Sequence, residues 1–374
     1  MPIPRDARKT RRRSNAAATI HDVAARAGVS VATVSRVLNG IAVVREETSR
    51  DVRAAAKFLR YVPNVAARSL SIRRSQTIGI VLPDVHGEFF SEVIRGIDLA
   101  ARREGYHILV SGSHSDPSEM LEVVETMRGR VDGLMIMAPD VTLAPIEELR
   151  ARDLPVVLLN AAAGAGDAIT IDNFGGARAV MRHLHELGHT CIAFVCGPPQ
   201  NADARERLRG YRHAMRGLET TAALRSLEFQ GSFTEESGFA AGQKIVATLP
   251  LPTAVFAAND SMAVGALAAF AAAGIRVPET MSVVGFDDIP IARYVAPPLT
   301  TMRVDIAELG RRAFALLLDI ITNSAAHTAR RERVATTLVV RGSCAAAKRV
   351  STRQTRPHRA VRVPGSGREK GEVS

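Results

Sequence analysis

The sequence predicts an all-α helix-turn-helix head joined to an α/β body, the body being two doubly wound parallel-sheet subdomains around a ligand cleft. Three observations predict it. Residues 19–60 carry short helical patterns punctuated by Gly28 and by Asn39-Gly40. From Thr77 onward, apolar strand-like runs alternate with helical stretches. Charge is also divided: residues 1–76 hold 16 Lys/Arg against 5 Asp/Glu, residues 77–344 hold 25 against 31, and residues 345–374 hold 8 against 2. A basic head on a mildly acidic body points to a polyanion as the partner of the head.

These features divide the 374 residues into a basic disordered arm (1–18), a helix-turn-helix domain (19–60), a hinge helix and linker (61–76), a body of two interleaved subdomains (77–344) and a basic disordered tail (345–374). The first residues, MPIPRDARKTRRRSNAAAT, are basic but lack the apolar segment of an export signal. No run of about 18 apolar residues follows, so a cytoplasmic chain without a membrane span is expected. Cys191, Cys196 and Cys344 show no metal-ligand spacing and read as small buried residues in a reducing compartment.

In the head, Thr19 is placed to cap a first helix running to Ala27, with Asp22 completing the capping arrangement. Gly28 permits a tight turn, and Ser30 caps a second helix that reaches Leu38. Ala24, Val29, Val34, Val37 and Leu38 form a small core between them. A third helix spans Glu46 to Leu59 with Val52, Ala55, Ala56 and Leu59 on its apolar side. Two short helices joined by a Gly turn on a basic segment suit a DNA-binding unit whose second helix enters the major groove. Core helix pairs carry such turns too.

In the body, the runs are IGIVLPD, YHILVSG, VDGLMIMAPD, LPVVLLN, AITIDN, CIAFVCG, LEFQG, TAVFAAND, MSVVGFDD, LTTMRVD and TTLVVRG. Continuous apolar strands between helices indicate parallel sheets covered on both faces. Several runs end in a polar residue, at Asp84, Asn160, Asn259 and Asp287, where strands of doubly wound sheets meet their ligand crevice. With only 12 Phe and no Trp in the chain, adjacent Phe89 and Phe90 after the first strand offer an apolar ligand face. Arg205 offers a guanidinium that grips a diol, carboxylate or phosphate. Asn259, Asp287 and Asn160 offer groups for hydroxyls. Asp260 and Asp288 read as turn or cap residues, Asp172-Asn173 as ordering a hinge, and Gly175-Gly176 as close helix packing without a nucleotide-loop spacing. His183, His185 and His189 are close in sequence, but Gly188 interrupts them. No metal, no cofactor and no nucleophile–base pair is expected, so the chain is not read as an enzyme.

The segment Ala18-Thr-Ile-His-Asp-Val-Ala-Ala-Arg-Ala-Gly-Val-Ser30-Val-Ala-Thr-Val-Ser-Arg-Val-Leu-Asn39 resembles the signature of the LacI/GalR family of repressors. Arg60-Tyr-Val-Pro-Asn-Val-Ala-Ala-Arg-Ser-Leu70, Val131-Asp-Gly-Leu, Ile171-Asp-Asn-Phe-Gly-Gly, Arg207-Leu-Arg-Gly-Tyr, Ala258-Asn-Asp and Val284-Gly-Phe-Asp-Asp match in the family's order. The resemblance covers residues 18 to about 344. It implies a regulator that binds double-stranded operator DNA with its head and a small-molecule effector with its body. By resemblance, Val31, Ala32 and Arg36 occupy base-reading positions. Arg36 can bond guanine, while Val31 and Ala32 can only meet thymine methyls or exclude other bases. Thr19, Ser30, Thr33, Ser35 and Asn39 carry short donors suited to phosphates. In the hinge, the family places the leucine at Leu70 in the minor groove, with Asn64 and Ala67 on the same short helix. Phe233 falls where relatives place an aromatic that stacks on ligand.

A solute-binding protein shares the body's fold but is disfavoured by the missing export signal and by the head. A nucleotide-dependent enzyme lacks a phosphate-binding fingerprint. A sugar is the favoured effector, with a purine or another metabolite as the alternative. Ala161 stands where purine-binding relatives can place Trp. The tail has no Leu for a tetramerising helix, so a homodimer is expected, with Tyr294 and the helix near Ile94–Ile97 at its contact.

Overall fold

The computed structural model describes residues 18–38, 44–61, 74–114, 116–137, 154–161, 166–216, 227–323 and 326–348. Asn39, Asn64, Ala67 and Leu70 lie outside the described residues.

The head consists of α1 (Ile20–Ala27), α2 (Val31–Leu38) and α3 (Glu46–Phe58). Thr19 closes a capping box on α1: Asp22 N donates to Thr19 Oγ1 at 3.3 Å, and Thr19 N donates to Asp22 Oδ2 at 2.8 Å. Gly28 ends α1 at φ 66°, a left-handed position that a Cβ would strain. Thr33 N donates to Ser30 Oγ at 3.1 Å, so Ser30 starts α2 as expected. Val23, Ala24, Val34, Val37, Val52, Ala55 and Ala56 are buried together between the three helices, with Val29 and Leu38 packed on the rim.

The body begins at β1 (Thr77–Leu82), followed by α4 (Glu88–Arg103), β2 (His107–Gly112), α5 (Pro117–Met127), β3 (Gly133–Met137), β4 (Val156–Leu159) and β5 (Ala168–Ile171). The chain then enters a second lobe through α6 (Asn173–Glu186), β6 (Ile192–Cys196), α7 (Ala202–Arg216), β7 (Leu227–Gln230), α8 (Glu235–Val246), β8 (Ala254–Ala257), α9 (Asp260–Ala272), β9 (Ser282–Asp287), a 3-10 turn (Pro290–Arg293) and β10 (Thr300–Val304). It returns to the first lobe as α10 (Ile306–Asn323) and β11 (Arg331–Val334), and ends in the second as β12 (Thr336–Val339).

Each lobe holds a six-stranded sheet, ordered β11-β5-β4-β3-β1-β2 in the first and β12-β10-β9-β8-β6-β7 in the second. The pairings are parallel except for β12, which runs antiparallel to β10. β3, β6, β8 and β9 are buried along their whole length, the signature of sheets covered by helices on both faces. Helices α4 and α10 pack closely at Gly96 and Gly310, where a Cβ would collide with the backbone of the other helix. Gly176 likewise leaves room for Thr336 and Phe286, the packing role expected of it.

Three crossings join the lobes, and they lie side by side. Asp172 N, in the first, donates to Val334 O in the third at 3.0 Å. The third in turn pairs with the second, Thr336 standing opposite Val304. Asp172 caps α6, its carboxylate accepting from Gly175 N at 3.2 Å.

Two expectations need correction. The charged strand β11, Arg-Glu-Arg-Val, falls outside the apolar runs; at the edge of its sheet, only Val334 needs burial. Residues 345–348 were expected in the tail but are held to the body, because Ala345 N donates to Ser282 Oγ at 3.1 Å and Ala347 N to Leu187 O at 2.8 Å. His189, almost fully buried, fixes this segment: its Nε2 lies 3.0 Å from both Ser282 Oγ and Ala345 O, and Nδ1 lies 3.0 Å from Thr253 Oγ1.

Candidate effector cleft and DNA-reading helix

Between the lobes, residues just beyond β1, β4, β6, β7 and β8, and the end of β9, line one cavity of about 270 Å³. This is the carboxyl end of both sheets, where the strand-following loops meet. Phe89, Phe90, Asn160, Phe233, Asn259 and Asp287 all line it. The Phe89 and Phe90 rings meet edge-on with centroids 5.7 Å apart, one device for holding two adjacent aromatics in place.

Phe233 is positioned from two sides. Asn259 Nδ2 donates to the Phe233 carbonyl at 3.0 Å, while Asn259 Oδ1 accepts from Met262 N at 3.0 Å and caps α9. Gly197 makes room for the ring, since a Cβ there would stand 2.5 Å from it. Phe233 itself has φ 70°, a conformation costly for an aromatic residue and kept only because its surroundings fix it.

Arg205 is not brought into the cleft. It is exposed, and its guanidinium donates to the carbonyls of Pro199 and Gln200. Arg207 lines the cavity instead. Residues two apart on a helix point about 200° apart, so only one of the pair can face inward. The buried stripe Ala204, Arg207 and Tyr211 shows which face of α7 that is. Arg207 Nε donates to Asn173 Oδ1 at 2.8 Å, Nη1 to Ala258 O at 2.6 Å, and Nη2 stands 3.0 Å from Asp287 Oδ1. Its guanidinium also lies 3.9 Å from the centre of the Phe286 ring. The Arg207 and Asp287 side chains are 4% and 6% exposed, so the pair is desolvated and its charges compensate each other. Burial raises the Asp287 carboxyl to about 6, although Arg207 opposes the rise.

Beneath this floor, Asp260 is fully buried, accepting from Thr301 Oγ1 at 2.5 Å and Ile289 N at 3.0 Å. Burial and the neighbouring Asp287 push its carboxyl well above the usual range. Asp288 binds Arg303 and Arg341 at 2.6 and 2.5 Å. Asp260 and Asp288 were expected as turn or cap residues; here Asn259 is the cap, and the two carboxylates tie neighbouring segments together. Asn173 joins the hinge to the floor, since it accepts from Arg207 and donates to Asp203 Oδ1 at 2.7 Å. Asn160 differs from these residues. It is 3% exposed, has φ 52°, and its Oδ1 has no hydrogen-bond partner.

In the head, Ala32 and Arg36 are exposed and four residues apart on α2, so they share a helix face. Val31 is half-buried against the head's core, which leaves only part of it for a base. The Ser30 and Thr33 hydroxyls lie 2.9 Å apart, and both Thr19 and Ser30 already serve as caps. Ser35 is half-buried.

One further expectation changes. Ile97 is fully buried against α10 and cannot face a second subunit, whereas Tyr294 is 78% exposed. Among the described residues, no three metal-ligating side chains converge, His183, His185 and His189 included. No helix among them is long and apolar enough to cross a membrane.

A three-helix head of this type, followed by two α/β lobes with an interlobe cavity, defines a DNA-binding regulator with a sensor body. The comparisons agree. Residues 19–64 match the model for bacterial regulatory proteins of the lacI family, and residues 181–344 match the periplasmic binding protein-like domain. The transcriptional repressor PurR of Haemophilus influenzae (strain PittEE) is 36% identical over 309 residues, covering 82% of this chain and 92% of that protein. PurR of Klebsiella pneumoniae (strain 342) is 37% identical over 313 residues, with 82% and 91% covered. The lac repressor dimer bound to operator and the anti-inducer ONPF superposes with a TM-score of 0.81 at 30% identity, covering 88% of this chain and 99% of that one. The regulator CelR in complex with cellobiose gives 0.65 at 32% identity, with 87% and 99% covered. The chain therefore belongs to the LacI family: it is an effector-controlled, DNA-binding transcription regulator of the repressor type, not an enzyme.

Proposed function

We propose that the protein is a cytoplasmic homodimeric repressor whose operator affinity is set by a sugar bound between the lobes. The observation that carries the effector class is the lining of the cavity: aromatic rings at Phe89, Phe90 and Phe233 beside hydrogen-bonding groups at Asn160, Asn259 and Asp287. An apolar face with a few placed polar groups suits a ring carrying hydroxyls. At about 270 Å³ the cavity lies at the small end of ligand sites, which favours a single sugar ring. A related Enterococcus faecium regulator, 27% identical, has bound ribose.

On DNA, Arg36 reads guanine, and Ala32 and Val31 select against bases that need a polar partner. Thr19, Ser30, Thr33, Ser35 and Asn39 contact phosphates. Asn64, Ala67 and Leu70 form the hinge contact in the minor groove. One head buries little surface, so two act together on a two-fold operator.

The test joins a thermal-shift panel of sugars and nucleobases to a gel shift on DNA upstream of the gene. A sugar that raises Tm and alters the gel shift supports the reading. A nucleobase that does so, with no response to sugars, replaces the sugar with the purine alternative that the PurR relatives keep in view.

A further inference from the structure

Residues 74–76 end the linker, and they hold the body more firmly than a chain merely passing into a strand requires. Asp132, half-buried just before β3, binds them with its whole carboxylate. Its Oδ1 accepts from Ser75 N at 2.5 Å and from Ser75 Oγ at 2.9 Å, and its Oδ2 accepts from Gln76 N at 2.9 Å. Its own N–H donates to Thr77 O at 2.8 Å. Gln76 is left-handed at φ 51°, a conformation that a non-glycine residue keeps only where its neighbours hold it. Both of its backbone polar groups are committed to the first lobe, the N–H to Asp132 and the carbonyl to His107 N at 2.9 Å. The chain is therefore bent, and the bend is fixed, at the point where it leaves the body for the head.

Helix α10 ties this joint to the interlobe crossings. It starts at Ile306, just after Val304 in the second crossing, and ends at Asn323 beside the joint. Its 18 residues span about 27 Å. At that far end Ile321 O accepts from Arg74 Nη2 at 3.2 Å. Gly133, next to Asp132, lies so close to the helix that a Cβ would stand 2.9 Å from Leu317 Cδ1 and 3.2 Å from Ile321 Cδ1. One stiff element thus runs from the crossings to the linker, and two polar anchors, Asp132 and Arg74, fasten the linker at its end.

Resting on the reading that two heads act together on a two-fold operator, we propose that Asp132 is a positioning residue for DNA recognition. By locking Ser75 and Gln76 it sets the direction in which each linker leaves the body, and so the half-site spacing that the pair of heads accepts. A loose joint would let each linker swing and the heads follow several spacings, with more conformational freedom to lose on binding. A locked joint holds one spacing and starts from fewer conformations. A turn of the first lobe then reaches the linker as a turn, instead of being lost in a free joint.

The test uses the full chain and a duplex that the parent protein selects from a random library. Binding is measured on that duplex, on versions with one or two base pairs added or removed between its half-sites, and on unrelated DNA, with Tm as the check on folding. The parent should lose at least about fivefold on each altered spacing, the lower end of ordinary coupling between sites. In Asp132→Ala, affinity for the selected duplex should fall severalfold while the spacing penalty shrinks toward parity. Asp132→Asn keeps an oxygen for Ser75 but turns an amide NH2 toward Gln76 N, so it should fall between the two. Ser75→Ala removes only the hydroxyl's bonds to Asp132 and Thr77. It should shift the penalty in the same direction, and it carries the test if Asp132→Ala does not fold. A carboxylate that only steadies the fold would lower Tm and weaken every spacing alike. That result, or a spacing penalty unmoved in the folded variants, overturns the proposal and leaves the paired-head reading intact. A parent indifferent to spacing overturns both.

Discussion

Replacing Arg207 by Met keeps most of the side-chain length but removes the guanidinium that donates to Asn173 and Ala258 and carries the charge opposite Asp287. Breaking a buried ion pair from one side costs roughly 3–5 kcal/mol, because the other charge is left without compensation. That is a large part of a typical total stability of about 5–15 kcal/mol. At roughly 2–4 °C per kcal/mol for domains of this size, Tm should fall by about 6–20 °C near neutral pH. The loss should also depend on pH. Asp287 has its carboxyl raised to about 6 from 3.8, so the folded state holds a proton that the unfolded chain releases. Its contribution is therefore favourable below about pH 4 and is lost as pH rises through about 6, a penalty of roughly 3 kcal/mol at neutral pH. Without Arg207 the carboxyl rises further, so Arg207→Met should be more damaging at pH 7.5 than at pH 5. Circular-dichroism melts of the parent and the variant at both pH values give the measurement. A variant within 2 °C of the parent at pH 7.5, or a loss that grows toward acid, would refute the reasoning.

Phe233→Ala should weaken effector binding at least tenfold by calorimetry, from about 1.5–3 kcal/mol of lost aromatic contact; an unchanged Kd removes the ring from the site. Arg205→Ala should leave effector affinity within about twofold, since Arg205 bonds the carbonyls of Pro199 and Gln200 outside the cavity, and a tenfold loss would return it to the site. Arg36→Ala should cost about 1–3 kcal/mol of operator affinity in a gel shift and relax selection at one base pair. An equal loss on unrelated DNA would make Arg36 a phosphate contact.

The parts of the fold that announce themselves in sequence are those where one force dominates. Thr19, Asp22 and Gly28 mark the ends of α1 because capping is a local matter of hydrogen bonds and one dihedral angle. The buried parallel strands declare themselves as unbroken apolar runs. β11 does not, because an edge strand made of Arg331, Glu332, Arg333 and Val334 needs only one buried face. In the cleft, strand ends located Asn160, Asn259 and Asp287, since that geometry follows from topology. The choice between Arg205 and Arg207 was available in the spacing of Ala204, Arg207 and Tyr211, an apolar stripe that contains one arginine. The acids Asp84, Glu88, Asp203 and Glu235 come together only when two lobes fold from interleaved segments, and no local pattern links them.

The three interlobe crossings bear on how a signal leaves the body. The hydrogen bond from Asp172 to Val334 and the pairing of Thr336 with Val304 make them a narrow ribbon, not three separate tethers. A ribbon bends most easily across its flat face and resists shear along its strands. Such a hinge favours opening and closing of the lobes like the covers of a book about its spine. A ligand that alters the gap at the cleft would turn the first lobe about that spine, and with it the point at which the chain leaves for the head. Direction is set by the spine and extent by the ligand, so chemically different effectors would report through the same movement.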